Sequence, residues 1–432
     1  MRRLLACAGA LYLVVTTACG RDVAFVDPRA ATEPGDTTNG DGGEQTVVRG
    51  NLDVTITVAA EDAAIAEALG LGGPGLPGAA VTVRRAGVGS YQGLTDSAGQ
   101  VRFEELVTGR WTVSAVRGLT PEERAGLPAG AEDVTGFAAG GPATVEEVGT
   151  AVEMPAYAGR GGTIVISELY PPNPLAADGN SYSTGGYIEL VNNSFETVYL
   201  DGMIVGHTYH LSIESNVGTC EETAKWREDS LGVWARFFGS FPGRGTDYPL
   251  APGAAAVIAT DAINHSEFVS ELLDLSGADF EFIGSADVDN PAVPNMLNTG
   301  LAEWSPVIGH GLKFSYISLY FFVAEALDPD TLRSTVAIPD WRHVLIPRAS
   351  VLDVVTSQLT PEKQAALPSL WCPRVIHPVF DRQHAELYDG SQLLAIRRRA
   401  LSALGDGRVI LQRTRNSYAD LETAPPTPGR IP

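Results

Sequence analysis

The sequence is short of basic residues and of cysteine. Lysine and arginine number 30 against 52 aspartates and glutamates, which gives a net charge of −22. A field of that sign repels a phosphate backbone, so nucleic acid is disfavoured as a partner. The four cysteines include Cys220 and Cys372, and neither has a second Cys or His at the short spacing of metal ligands, so no zinc site is predicted.

Recognisable catalytic motifs are also missing. The chain has no G-x-S-x-G elbow, no H-E-x-x-H, no Walker loop and no dinucleotide fingerprint between a strand and a helix. We therefore predict a non-catalytic protein without a cofactor. Glycine (47 residues) and proline (28 residues) are plentiful and favour turn-rich β structure over helices.

Three weak constellations are the alternatives to that prediction. His207 and His210 could bind a metal with Glu214 or Glu189, but on a strand their odd separation directs them to opposite faces. The acidic run 287–290 could bind calcium, although such runs arise by composition in an acidic chain. The segment 372–384 holds a cysteine and two histidines, yet a cysteine in a disulfide cannot act as a thiolate nucleophile.

The N-terminus has the order of a secretory signal. Met1–Arg3 is positively charged, Leu4–Val15 is apolar but too short to span a bilayer, and small residues precede Cys19. This arrangement resembles a bacterial lipobox, which implies a signal peptide over 1–18 and lipidation of Cys19. Thr16 departs from the usual leucine, so cleavage by the general signal peptidase stays an alternative. We expect an exported lipoprotein at the outer membrane or cell surface, with the periplasmic side possible as a location.

Residues 19–45 are rich in Asp, Thr, Gly and Pro and poor in apolar side chains. Such a stretch buries too little surface to offset its ordering entropy, so we predict a flexible tether. Residues 46–157 then form one predicted β module. Leu52–Val58 and Ala80–Arg85 are predicted strands, because polar and apolar residues alternate along them.

A turn with Asp96 and Gly99 precedes apolar positions at Phe103, Leu106 and Trp111. The stretch from Asp96 to Val113 resembles the carboxypeptidase-regulatory-like or collagen-adhesin B-type repeats. That resemblance implies a small β-sandwich that serves as a spacer or stalk. Short helical inserts are predicted at 61–72 and from about Thr120.

A glycine-rich linker is predicted at 158–162, and a larger module at 163–429. Its segments Thr163–Tyr170, Tyr187–Ser194 and Val198–Val205 resemble the lamin-tail family of immunoglobulin-like β-sandwiches. The module is about twice the usual lamin-tail length. The whole arrangement resembles an uncharacterised family of envelope lipoproteins that joins a regulatory-like repeat to an extended lamin-tail-like domain. In that family pattern Glu168 and Glu189 occupy structural strand positions.

The extra length falls in three predicted loops, 207–247, 261–311 and 353–391. Two cysteines outside the N-terminal segment of an exported chain favour pairing, so we predict a disulfide between Cys220 and Cys372. Long loops on a rigid scaffold often bind ligands, although packing of the loops on themselves is the alternative. The possible ligand-loop residues are Trp226, Trp234, Trp304 and Trp371.

The sequence thus predicts an all-β protein of two β-sandwiches, of immunoglobulin-like and prealbumin-like type, with long loops and a few short helices. Its one basic cluster, Arg397–Arg399, is interpreted as a solvated strand edge. The expected function is a lipid-anchored binding or scaffolding surface, with the membrane and an unknown envelope protein or extracellular ligand as partners. The alternatives are an accessory that captures substrate for an outer-membrane uptake receptor and an extracellular hydrolase.

Overall fold

The computed structural model describes residues 24–25, 47–177, 179–207, 218–282, 288–297, 318–337, 343–366, 371–387 and 393–431. The expected signal peptide, Cys19 and Trp304 lie outside these residues. The predicted all-β class is confirmed, because strands dominate and the helices are few and short. Within the described ranges, none of the helices combines the length and the apolar content that crossing a bilayer requires.

Eight strands and two short helices make up the first unit, which precedes residue 161. Its elements are β1 (Ala24–Phe25), β2 (Arg49–Val58), α1 (Ala63–Ala68), β3 (Ala80–Arg85), β4 (Gly89–Leu94), β5 (Gln100–Val107), β6 (Gly109–Gly118), α2 (Pro121–Ala125), β7 (Val134–Val145) and β8 (Thr150–Arg160). They form one sheet in the order β1-β4-β3-β6-β7-β8-β2-β5. The start of β8 pairs in parallel with β2 and its end pairs with β7, so this strand joins the two sides of a sandwich-like core.

Local chemistry accounts for the predicted turn of this unit. The Asp96 carboxylate accepts hydrogen bonds from the backbone N–H groups of Ala98 and Gln100, both at 2.9 Å. Gly99 has a φ of +74°, a left-handed conformation that favours glycine. Trp111 is buried in the core, where its indole N–H donates to the carbonyl of Val107 at 2.9 Å.

Two predictions made for the first unit need correction. Ala24–Phe25 was predicted as tether, but it pairs with β4, since the open edge of that strand offers unpaired backbone groups. Ala158, Gly159 and Arg160 were predicted as linker, but they continue β8 and pair with β7. The first three residues of the predicted glycine-rich linker are therefore the end of a strand.

Most of the remaining chain forms the second unit. Its strands are β9 (Ile164–Tyr170), β10 (Tyr187–Asn192), β11 (Val198–Tyr199), β12 (Ile204–His207), β13 (Gly232–Ala235), β14 (Phe237–Ser240), β15 (Pro249–Leu250), β16 (Ala255–Ala259), β17 (Phe280–Phe282), β18 (Asn295–Met296), β19 (Ser318–Ala324), β20 (Val344–Pro347), β21 (Val351–Leu359), β22 (Ala385–Leu387), β23 (Ala395–Arg398), β24 (Ala400–Ala403), β25 (Val409–Leu411) and β26 (Leu421–Ala424). Its helices are α3 (Cys220–Arg227), α4 (Pro329–Arg333), α5 (Pro361–Ala365) and α6 (Ser417–Asp420). Single turns of 3-10 helix lie at Ala60–Asp62 in the first unit and at His265–Glu267 and Arg348–Ser350 in the second.

Two sheets face each other in the second unit. A seven-stranded sheet has the order β18-β17-β16-β10-β9-β23-β26, and a five-stranded sheet has the order β14-β12-β19-β21-β22. Their inner faces share one core, to which Ile188 and Ile258 contribute from the first sheet and Phe321 and Val355 from the second. This arrangement is a β-sandwich.

The segments predicted as long loops add further layers to this sandwich. Strands β13 and β20 pair and pack Val233 and Ile346 on the outer face of the five-stranded sheet. Leu272 and Leu275 pack against the outer face of the seven-stranded sheet. The segment 353–391 was predicted as loop, yet it begins within β21 and contains β22. Much of the extra length therefore covers apolar sheet faces that would otherwise contact water.

One disulfide ties two of these added segments together. Cys220, the first residue of α3, is bonded to Cys372, with the Cα atoms 5.3 Å apart. This is the pair expected from the sequence. The buried Arg227 side chain donates to the carbonyl of Cys220 and, at 2.6 Å, to the carbonyl of Arg374, so the helix and the segment after Cys372 are joined by polar contacts as well.

The interpretation of Arg397–Arg399 as a solvated strand edge is wrong. Arg398 is 2% exposed and lies 2.6 Å from Asp353 and 3.5 Å from Asp420. Arg397 and Arg399 both pair with Glu422, on the neighbouring strand β26. The three arginines are held in the interior and at the unit boundary because carboxylates from other elements neutralise them.

Candidate functional site

The two units pack directly on each other, and glycines make the close approach possible. A Cβ atom at Gly159 would lie 2.4 Å from the side chain of Leu401, on β24. A Cβ atom at Gly140 would lie 2.7 Å from Cα of Ala419, on α6. Both distances are shorter than real Cβ contacts, so side chains at these positions would push the units apart.

Beside this contact the units leave a cleft of about 730 Å³. Its first wall is one face of the first unit's sheet, formed by β3, β4 and β6. Thr82 stands between its cross-strand partners Gln92 and Ser114, and the next row holds Ser90, Arg84 and Thr112. The residues between them along each strand point into the core, because successive side chains of a strand lie on opposite faces of the sheet. The polar residues therefore gather on the face toward the cleft.

The second wall belongs to the second unit. The lining residues of that wall are Thr360, Glu362, Ala385, Glu386, Ile396, Arg399, Tyr418, Leu421, Glu422 and Thr423. Two contacts cross from wall to wall. Arg110 forms a two-point ion pair with Glu386, which raises the pKa of Arg110, and the Tyr418 hydroxyl donates to the Thr112 hydroxyl at 3.4 Å.

Four arginines and three glutamates line the cleft. Arg399 is neutralised by Glu422 at 3.3 Å, and its Nε donates to the carbonyl of Leu421 at 3.1 Å. Burial lowers the pKa of Arg399, and the nearby positive charge of Arg84 lowers it further against the opposing effect of Glu422. Arg84 is exposed and has no carboxylate within 4.0 Å among the described residues. A ligand carboxylate placed between Arg84 and Arg399 would relieve this repulsion.

The acids of the cleft are engaged by cations or held in the charged form. Glu386 binds Arg110, Glu422 binds Arg399, and backbone hydrogen bonding lowers the pKa of Glu362. A general acid at neutral pH needs a raised pKa instead. The arrangement suits recognition of a polar ligand through hydrogen bonds and charge.

Acids with a raised pKa occur elsewhere and hold the fold together. Burial raises the pKa of Glu189 to about 7, and its carboxylate accepts from Ser167 and from the backbone of Gly429, both at 2.6 Å. Burial raises the pKa of Asp381 to about 6, and that carboxylate accepts from Thr356 at 2.6 Å. Neither residue lines the cleft.

Glu168 shares this structural role with its neighbour. It faces Glu189 across β9 and β10, where it accepts hydrogen bonds from the Tyr187 hydroxyl and, at 2.7 Å, from the backbone N–H of Thr427. The two glutamates thereby anchor the C-terminal segment to the seven-stranded sheet. This agrees with the structural positions that the sequence suggested for them.

The described tryptophans among the possible ligand-loop residues lie apart from the cleft. Trp226 is on α3 with the ammonium of Lys225 4.3 Å from its ring centroid. Trp234 is on β13 and donates to the Asp229 carboxylate at 3.0 Å. Trp371 is half-buried beside the disulfide. None of these three lines the cleft, and Trp304 lies outside the described residues.

The weak constellations do not assemble a metal site among the described residues, and their cysteine is not a free thiol. His207 packs between the rings of Phe237 and Phe321, with centroid distances of 5.0 and 5.2 Å. His210, Glu214 and Asp287 lie outside the described residues. In the part of the chain that the structure describes, no group of three or more His, Cys, Asp or Glu is placed to hold a metal ion. Cys372 is bonded to Cys220 and so is not a thiolate.

Sequence reasoning missed the cleft, although a signal for one wall was present. Thr82 and Arg84 on β3, and Thr112 and Ser114 on β6, are polar positions that alternate with buried ones. That alternation predicts a polar sheet face. It does not show that the second unit covers this face, because the covering residues lie more than two hundred positions further along the chain.

Comparison with known proteins gives a fold and no activity. The family model described as "Protein of unknown function (DUF4876)" matches residues 251–328. A crystal structure of a DUF4876 family protein from Bacteroides thetaiotaomicron VPI-5482 is similar at 20% identity, with a TM-score of 0.53 over 89% of this chain and 98% of that chain. At that identity the likeness shows the fold alone. No curated protein matches the chain.

Two other solved structures match only in part. The Bacillus anthracis TIE protein is 16% identical over 33% of this chain and 28% of its own, with a TM-score of 0.17. BcpA, the major pilin subunit of Bacillus cereus, is 18% identical over 40% of this chain and 47% of its own, with a TM-score of 0.15. Both scores are too low to support an argument.

Proposed function

We propose that this chain is a non-catalytic, lipid-anchored envelope protein that binds a polar ligand in the cleft between its two units. The observation that carries the proposal is the cleft itself, which has a volume of about 730 Å³ and walls of hydroxyl, amide and charged side chains. Binding sites for small ligands commonly have volumes of about 300–1,000 Å³. A pure scaffold would offer a flat surface here instead.

The walls indicate the chemistry of the ligand. Arg84 and Arg399 are two guanidiniums close enough to influence each other, and both line the cleft. The hydroxyl and amide rows beside Arg84 offer further donors and acceptors. We infer that the ligand carries a carboxylate and several hydrogen-bonding groups, as an acidic peptide segment of a partner protein does.

The anchor and the domain identities belong to the same proposal. The lipobox-like run before Cys19 supports lipidation and a place at the outer membrane or cell surface. The sheet of the first unit is in keeping with a collagen-adhesin B-type repeat, and the sandwich of the second with an extended lamin tail. Mass spectrometry of the native protein beside a Cys19→Ala variant tests the anchor, since only the unchanged chain should carry a lipid-sized mass increment and fractionate with membranes.

Site-specific photo-crosslinking in intact cells tests the cleft. A benzophenone side chain at Gln92, inside the cleft, should give a discrete adduct with a partner protein, and the further substitution Arg84→Glu should abolish that adduct. The same probe at Glu153, an exposed position on β8 outside the cleft, is the matched control. Equal adducts at both positions, or an adduct that survives Arg84→Glu, would refute binding in the cleft.

A second candidate is capture of a nutrient for a neighbouring uptake receptor, and the concave shape of the cleft supports this candidate as well. The mass of the crosslinked species distinguishes the two. A protein partner gives an increment of many kilodaltons, whereas a captured nutrient gives an increment below about 1 kDa.

A further inference from the structure

A second cavity, of about 60 Å³, lies within the second unit and shares no lining residue with the cleft. It opens beside β21, and its ionisable lining residues are Arg348, Arg413, Arg415 and Asp353. Its volume is several times the ~10–15 Å³ that a cavity needs to admit one water molecule, so it can hold a small polyatomic ion.

The cavity carries an excess of positive charge. Three arginines line it against one aspartate, and that aspartate is already bound to the buried Arg398 at 2.6 Å. Asp353 also accepts a hydrogen bond from the backbone N–H of Ile166 at 2.9 Å. Its Oδ2 atom is therefore occupied by Arg398 and Ile166, and its Oδ1 atom lies 3.8 Å from Arg413, so one carboxylate serves several guanidiniums in a protein whose net charge is −22.

Two of these guanidiniums have no counter-charge of their own. Within the described ranges, neither Arg348 nor Arg415 has a carboxylate within 4.0 Å. Arg413 lies 3.8 Å from Asp353 and donates to the carbonyl of Leu352 at 2.6 Å, while its buried Nε has no hydrogen-bond acceptor in the described part of the chain.

The neighbouring residues increase the repulsion. Burial lowers the pKa of Arg415, and the positive charges of Arg413, Arg382, Arg348 and Arg160 lower it further. Arg382 and Arg160 are paired with Glu61 and Asp133, whereas Arg348 and Arg415 are exposed arginines for which the described residues supply no such pair. An anion held between them would reduce their repulsion.

The backbone of Arg415 is also held in an uncommon conformation. Its φ is +58°, in the left-handed region that side chains seldom adopt, and its carbonyl accepts the backbone N–H of Arg382 at 2.8 Å. Non-glycine residues in this region cost free energy and often occur at functional sites. Arg415 lines the cavity together with Arg413 and Arg348.

We propose that the pocket formed by Arg348, Arg413 and Arg415 binds a tetrahedral oxyanion, either phosphate or sulfate. Three guanidiniums offer more donors than the two oxygens of one carboxylate can accept, and the four oxygens of phosphate or sulfate match them better. The site is separate from the cleft, so it stands whether or not the cleft binds a ligand.

Isothermal titration calorimetry of the full-length protein with inorganic phosphate and with sulfate tests the pocket, at fixed ionic strength set by sodium chloride. The unchanged chain should bind one oxyanion per molecule. In the double variant Arg348→Gln with Arg415→Gln, affinity should fall at least tenfold. Arg244→Gln, at an exposed arginine outside the pocket, is the matched control and should bind as the unchanged chain does.

Thermal unfolding supplies a second measurement that does not depend on heat of binding. Phosphate should raise the midpoint temperature of unfolding of the unchanged chain and of the control, and it should not change the midpoint temperature of the double variant. In chloride alone the double variant should melt at the same temperature as the unchanged chain or higher, because repulsion has been removed. Equal affinity in all three proteins, or no binding at millimolar phosphate, overturns the proposal.

Competition experiments identify the source of the oxyanion. Glycerol 3-phosphate, a phosphate monoester, and glycerophosphocholine, a phosphate diester, are each titrated into protein that already holds inorganic phosphate. Displacement by the monoester shows that the pocket accepts a phosphate group on a larger molecule, and displacement by the diester extends this to lipid headgroups. If only the inorganic ions compete, the pocket binds a free oxyanion.

Discussion

Replacing Arg398 with methionine should destabilise the protein strongly at neutral pH. The guanidinium is 2% exposed and neutralises Asp353 at 2.6 Å and Asp420 at 3.5 Å, whose side chains are 5% and 2% exposed. It also donates to the carbonyls of Ile166 and Gln412 at 2.9 and 2.7 Å. Removing one partner of a buried ion pair costs about 3–5 kcal/mol. We expect a loss of about 4 kcal/mol in the free energy of unfolding at pH 7.

The pH dependence of this loss has a definite sign. Burial raises the pKa of Asp420 in the folded protein, and Arg398 opposes that rise. Without Arg398 the folded Asp420 carboxyl holds its proton to a higher pH than the unfolded one, so the stability of the variant falls as pH rises through that interval. The deficit relative to the unchanged chain should therefore be smaller at pH 5 than at pH 7.

Urea unfolding followed by far-UV circular dichroism and tryptophan fluorescence measures this deficit at both pH values. Arg397→Met is the matched control, because that side chain is 22% exposed and makes a pair worth less than about 1 kcal/mol. Adding Asp353→Asn to Arg398→Met should recover part of the loss. A deficit below about 1 kcal/mol at pH 7, or one that grows toward pH 5, would refute the reasoning.

Three further predictions concern the fold. The disulfide joins residues 152 positions apart, so Cys372→Ser should cost about 5 kcal/mol by the chain-entropy estimate, and reductant should lower the melting temperature of the unchanged chain but not of the variant. Because the folded pKa of Glu189 is raised to about 7, the free energy of unfolding should fall as pH rises from about 4.5 to 7. In urea unfolding, Glu189→Gln should reduce this pH dependence, and an equal pH dependence in the variant would contradict the prediction. Gly99→Ala should lower the melting temperature, since its φ is +74° and a Cβ atom would lie 2.5 Å from the carbonyl oxygen of Ile56; an unchanged melting temperature would contradict this.

Sequence patterns were most informative where the structure depends on near neighbours. The strand Ala80–Arg85 forms over the predicted residues, because alternating side chains place Val81 and Val83 in the core. The capping residue Thr120 begins α2 through a reciprocal hydrogen bond with Glu123, at the position where a helical insert was expected.

Patterns failed where a residue's role depends on distant partners. Gly159 was predicted to belong to a glycine-rich linker, whereas its lack of a side chain makes room for Leu401, more than two hundred residues away. Trp226, Trp234 and Trp371 were expected in ligand loops, but each of the segments that hold them contacts the sandwich or the disulfide. Local composition does not reveal which surface a segment covers.

The sequence by itself determined the all-β class, the main strands and the cysteine pair, because two-residue periodicity, turn chemistry and the small number of cysteines are local or countable properties. The tertiary structure decided the burial of Arg398, since the neutralising carboxylates Asp353 and Asp420 lie 45 and 22 positions away along the chain. It also decided the cleft and the arginine pocket. Each gathers charges from separate strands and turns, and only the packing of the sheets brings those charges within reach of one ligand.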